Sequence, residues 1–113
     1  MKFATTQDKN EAVVATKVEK LDASNASELK AELVILNKNG VNSIIMDMSG
    51  TKYCDSSGLS AILTANRLCK DSNGNFALCG LNENVLKMVQ IAQLDKVLLI
   101  TSDIDAARQA IKL

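Results

Sequence analysis

Aromatic residues are nearly absent from this 113-residue chain, which has two phenylalanines, one tyrosine and no tryptophan. The core must come from Leu, Ile, Val, Ala and Met, and a 47% hydrophobic content makes that feasible. Histidine is absent as well. That excludes Cys-His or Ser-His catalysis within the chain and the usual His-containing zinc sites. Charge of neither sign prevails, with 13 basic and 13 acidic side chains. Nothing therefore points to direct binding of nucleic acid or anionic lipid. No segment approaches the roughly 20 apolar residues of a membrane span, so no membrane insertion is expected. Residues Met1 to Gln7 contain no apolar stretch of signal-peptide type, and the chain reads as soluble and cytoplasmic. The cysteines Cys54, Cys69 and Cys79 are odd in number and form no Cys-x-x-Cys. They read as small buried hydrophobes in a reducing compartment, not as a disulfide framework or a metal site. Proline, low-complexity tracts and internal repeats are all missing. With no linker in sight, residues 1–113 read as one domain.

What is present is an alternation of strand-like and helix-like segments. Lys2 to Gln7 reads as an edge strand and Ala12 to Val18 as a β-branched strand, joined by the polar turn Asp8 to Glu11. Ala26, Leu29, Leu33 and Leu36 recur at helical steps. Asp22, Ser24 or Asn25 is the candidate cap of that helix, and Gly40 its stop. Ser43 to Met48 is a nearly continuous apolar strand, as expected when both sheet faces are covered. A second helix is predicted from about Ser57 to Lys70, ending at the turn Asp71-Ser72-Asn73-Gly74. Asn75 to Cys79 reads as a strand. Asn82 to Ile91 reads as a helix capped by Asn82. Val97 to Ile100 reads as a last buried strand, and a final helix opens on a capping box of Ser102 and Asp105. Methionines such as Met88 read as core filler. The order ββαβαβαβα predicts an α/β fold: about five strands in a mixed, mostly parallel sheet, with four helices.

The chemistry concentrates at Asp55-Ser56-Ser57-Gly58-Leu59, a strand-to-helix junction. A helix start leaves backbone N–H groups unpaired and carries positive partial charge, so it tolerates a phosphate. Ser56 and Ser57 are candidates for a switch and equally for an ordinary helix cap. If the neighbouring strands are adjacent, the loops after them bring Asp22, Ser24, Asp55 and Ser56 together. No base in that cluster can activate a serine, and no closed pocket is evident, so no catalytic residue is assigned. A magnesium site on Asp22 and Asp55 lacks further ligands. No phosphate-cradling glycine loop occurs, and no cofactor is expected.

Asp55-Ser56-Ser57-Gly58-Leu59, preceded by Ile44-Ile45-Met46-Asp47-Met48, resembles the signature of STAS domains, the sulfate-transporter and anti-sigma-factor-antagonist family. Leu21-Asp22 followed by Ala26-Ser27-Glu28-Leu29, and Gly80-Leu81 through Leu94, resemble further family segments. The resemblance runs from about Ala12 to Ile111. It implies a small α/β domain and a role as a stand-alone bacterial anti-sigma factor antagonist. In that role the unmodified protein binds an anti-sigma factor that is also a serine kinase, and this frees the sigma factor. The kinase phosphorylates the serine after the motif aspartate, Ser56 here, and a PP2C-type phosphatase resets the switch. The implied docking residues are Asp22, Ser24, Asn25, Asp55, Ser57 and Gly58, on a protein that is a monomer when alone. Glu19-Lys20 and Cys54 depart from the usual family residues and are expected at the rim of the docking surface. The resemblance also admits a STAS subunit of a membrane lipid-transport complex of ABC type, which is not phosphorylated, and a module binding small molecules or nucleotides.

Overall fold

The computed structural model describes residues 2–111. The chain opens on a hairpin of β1 (Phe3–Asp8) and β2 (Glu11–Thr16), paired antiparallel. The chain turns at Lys9-Asn10, with Lys9 at a φ of 58°. A two-residue strand β3 (Lys20–Leu21) leads into α1 (Ala26–Lys38). Then follow β4 (Ser43–Asp47), a second two-residue strand β5 (Tyr53–Cys54) and α2 (Ser56–Asp71). The remainder is β6 (Phe76–Cys79), α3 (Glu83–Ile91), a 3-10 turn (Leu94–Lys96), β7 (Leu99–Thr101) and α4 (Ile104–Ile111).

The main sheet has five strands in the order β1-β2-β4-β6-β7. Only β1 is antiparallel to its neighbour. The predicted class holds: a mixed, mostly parallel sheet with four helices. Side chains alternate across a strand, and the core divides accordingly. Val14, Ile44, Met46, Phe76 and Leu78 join a large cluster with Leu29 and Leu33 of α1, Ile62 of α2, and Val85 and Val89 of α3. Ile45, Ala77 and Cys79 point the other way and form a small cluster with Ala107 of α4. All three cysteines are free and buried. Burial pushes the Cys54 thiol up to about 12, with Asp55 adding to it, and lifts Cys69 and Cys79 to about 11.

Several details differ from the sequence reading. The last strand is short and its Leu99 is exposed, because the 3-10 turn takes up Leu94–Lys96 and β7 forms only the sheet edge. Leu98 alone of the apolar run is buried. The Ser102–Asp105 capping box is not used. Asp103, one residue closer to the helix, accepts the Ala106 N–H at 2.8 Å. Met88 is not core filler; it lines a shallow surface groove with Tyr53 and Ile91. Gly40 does end α1, at a φ of 97°, which a side chain would resist.

Candidate functional site

Two-residue strands carry no periodicity, so β3 and β5 were invisible in the sequence. They build the site. They pair parallel, Lys20 with Tyr53 and Leu21 with Cys54. The next residues are Asp22 on one side and Asp55 on the other, and this register sets the two acidic loops side by side. The ribbon is anchored below. The buried hydroxyls of Thr16 and Thr51 lie 2.7 Å apart, and Thr51 donates to the Val18 carbonyl at 2.7 Å. That ties the loop after β4 to the end of β2.

Asp22 does not cap α1. Its carboxylate accepts the Ser24 hydroxyl at 2.6 Å and the Ser24 N–H at 3.0 Å. These bonds hold the Asp22 carboxyl below its ordinary range, with the Lys20 charge assisting. Asn25 is buried and folds back as a clamp. It donates to the Lys20 carbonyl at 2.9 Å and accepts the Asp22 N–H at 3.0 Å. None of the three expected caps makes a side-chain cap bond to α1; the Asp22 carbonyl accepts the Ala26 N–H instead.

At the second junction the cap is Asp55, whose side chain accepts the Gly58 N–H at 3.0 Å. The alternative in which Ser56 or Ser57 caps the helix is therefore replaced. Both serines lie inside the first turn of α2, which starts one residue earlier than expected. Ser56 is exposed, and its hydroxyl makes no hydrogen bond among the described residues. Ser57 is half-buried.

Gly58 is buried. A Cβ there would lie 2.5 Å from the Cys54 sulfur and 2.5 Å from the Leu21 carbonyl oxygen. Its part is close approach of α2 to the ribbon. Asn25 and Gly58 thus shape the site from beneath and offer a partner little surface. Cys54, expected at the rim, is completely buried, whereas Glu19 and Lys20 are exposed.

The sequence reading missed Ser27, Lys30 and Ser60. They line a groove of about 360 Å³ between the opening turns of α1 and α2, together with Ser56 and Ser57. A charge on a helix reads as a solvated face, which hides Lys30 in the sequence. Its spacing held the signal, because Lys30 is four residues from Ala26 and three from Ser27, on one helix face. A second cleft lies beyond β4, β6 and β7, lined by Asp47, Ser49, Asp103 and Arg108 among others. Three of its charged side chains are already engaged: Asp47 with the Ser49 N–H, Asp103 with the Ala106 N–H and Arg108 with Glu11. No acidic or cysteine cluster among the described residues has the arrangement of a metal site. No helix among them is long and apolar enough to cross a membrane.

Comparison with known proteins agrees with this architecture. The STAS domain profile matches residues 4–107. BtrV of Bordetella bronchiseptica, inferred to be an anti-sigma factor antagonist, is 25% identical over 92 residues, covering 81% of this chain and 79% of that protein. A Thermotoga maritima crystal structure of a protein with the same inferred activity superposes with a TM-score of 0.86 at 26% identity, covering 98% of this chain and 95% of that one. The Bacillus anti-sigma factor antagonist SpoIIAA, in its unphosphorylated form, gives a TM-score of 0.83 at 18% identity, covering 98% of this chain and 97% of its own. Its phosphorylated form gives 0.74, covering 96% and 98%. At that identity the likeness speaks for the fold.

Proposed function

The chain belongs to the STAS domain family, and from that premise we propose that it is an anti-sigma factor antagonist switched by phosphorylation of Ser56. The partner is an anti-sigma factor with serine-kinase activity, and the opposing enzyme is a PP2C-type phosphatase. The protein itself is a cytoplasmic binding module with no catalysis of its own. One observation carries this reading: the Ser56 hydroxyl is exposed and unbonded at a helix start, because Asp55 does the capping. An incoming kinase can reach it without unfolding the turn.

The unmodified face docks through the exposed Ser24 and the half-buried Asp22, Asp55 and Ser57, with Ser56 among them. In the switching step the Ser56 oxygen forms a bond to the γ-phosphorus of ATP as the bond to ADP breaks. The hydroxyl proton leaves to a base supplied by the kinase. The new group adds about −1.5 to −2 charge at neutral pH. The helix end stabilises it by about 0.3–1 kcal/mol, so the fold survives. Across an interface, a partner carboxylate about 5 Å away is repelled by roughly 3 kcal/mol per unit charge at an effective dielectric near 20. That corresponds to about two orders of magnitude in affinity. Repulsion outweighs the helix-end gain, and no large conformational change is needed.

The test uses the purified chain, its cognate kinase and ATP. Phosphate is expected on Ser56, with Ser56→Ala binding the kinase and resisting modification. Ser56→Asp is expected to bind more weakly. Phosphate found only on another residue rejects the assignment, and undiminished binding by the phosphorylated chain rejects the repulsion mechanism.

A further inference from the structure

We propose that the groove between the opening turns of α1 and α2 is a receiving pocket for the phosphoryl group on Ser56, with the Lys30 ammonium as its counter-ion. This inference rests on Ser56 being the phosphoacceptor. Ser56 itself is part of the groove wall, so a group added to its oxygen starts at the pocket. The other polar lining groups are Ser27, Ser57, Ser60 and Lys30, and no carboxylate lines the groove. Their hydrogen-bonding capacity is free. Among the described residues the four serine hydroxyls donate to nothing, and the two ion pairs, Lys2–Glu28 and Arg108–Glu11, leave Lys30 out. Elsewhere on these helices a hydroxyl finds a partner, as Thr64 does with the Ser60 carbonyl at 3.0 Å.

The acids adjoining the groove in the chain have partners of their own, Asp22 the Ser24 hydroxyl, Asp55 the Gly58 N–H and Glu28 of α1 the Lys2 ammonium at 3.3 Å. A dianion with three acceptor oxygens complements one free ammonium and several free hydroxyls. The pocket holds the phosphate against α1, partly neutralises it, and makes the phosphatase compete for it. The switch then has a defined closed form, in which modification both repels the kinase and draws the Ser56 side chain toward Lys30.

Phosphoserine is installed at position 56 of the full chain during synthesis, without any kinase, and its titration is followed by ³¹P NMR. The second pKa of phosphoserine is ordinarily about 6. A cation in contact favours the dianion, so the value in the otherwise unchanged chain is expected at least about half a unit below that in Lys30→Gln. Lys30→Arg is expected to keep most of the depression. Lys38→Gln, which removes the same charge from the far end of α1, is expected to leave it unchanged. Equal pKa values with and without Lys30 overturn the proposal. An equal effect of Lys38→Gln also overturns it, because the interaction is then only diffuse charge. Ser60→Ala gives a second reading with every charge kept, and a smaller upward shift is expected. If no kinase modifies Ser56, the switch reading fails, while this titration still decides whether the pocket binds phosphate.

Discussion

At the residue scale the site works by dividing labour among side chains that look interchangeable in sequence. Asp22 and Asp55 are both acids before helices, yet only Asp55 caps. Asp22 bends onto Ser24, whose hydroxyl is the chief cause of its lowered pKa, followed by the Ser24 N–H; desolvation opposes them and Lys20 adds a smaller pull. A lowered folded-state pKa contributes stability above the ordinary value of 3.8, lost as pH falls through the lower folded value. Asp22 therefore stays charged at any pH where the cell works and is a fixed negative feature of the face. Ser24→Ala is expected to raise the Asp22 pKa toward its ordinary value in a carboxyl ¹³C titration; an unmoved midpoint would contradict the assigned cause. The sequence made Asp22, Asp55 and Ser56 legible because motif and charge are local. It did not reveal Lys30 or the clamp made by Asn25, since those roles depend on what the chain brings near them. Gly58 was legible as a motif residue but its reason was not. With Leu21 and Cys54 so close, Gly58→Ala is expected to destabilise the fold by about 1–3 kcal/mol in denaturant unfolding. An unchanged midpoint would mean that α2 is free to shift.

At the element scale, the periodic helices, the edge strand β1 and the short strand β6 were readable, while the two-residue ribbon and the edge position of β7 were not. The helical steps of Ala26, Leu29 and Leu33 fixed α1, and all three are buried. The apolar run Val97 to Ile100 promised a buried strand, but a run cannot say that a 3-10 turn will claim its approach and leave β7 at the edge. The ribbon of β3 and β5 is too short for any pattern, although it sets the register of the site. The start of α2 was one residue late because two serines compete visibly for the capping position. The aspartate before them takes it, and accepts from the third residue of the helix. Asp55→Ala is expected to cost about 1 kcal/mol of stability, while Asp55→Ser keeps most of it. Urea midpoints of the two variants check this directly. Binding to the proposed kinase partner separates cap from charge, because Asp55→Ser retains the first and removes the second.

At the scale of the whole molecule the sheet has two unequal faces, and the proposed switch sits on the heavy one. α1, α2 and α3 share the large cluster, where Leu29, Leu33, Ile62, Val85 and Val89 are fully buried. α4 covers the other face with one buried residue, Ala107, and partly buried Ile104 and Ile111. Local opening follows the number of buried apolar contacts, so α4 should detach at lower free energy than α2. Amide exchange is expected to be faster along α4 than in the middle of α2; equal protection would show that the two faces unfold as one. The asymmetry also separates stability from function. Ile62→Ala empties a fully buried site under α2 and is expected to cost about 2–5 kcal/mol, loosening the turn that carries Ser56. Ile104→Ala removes half-exposed contacts on the far side and is expected to lower stability less, with the rate of Ser56 phosphorylation unchanged. If both variants slowed phosphorylation in proportion to lost stability, the site would depend on the global fold alone. A rigid platform beneath the ribbon and the α1–α2 groove predicts instead that only the Ile62 variant affects the rate while the chain remains folded.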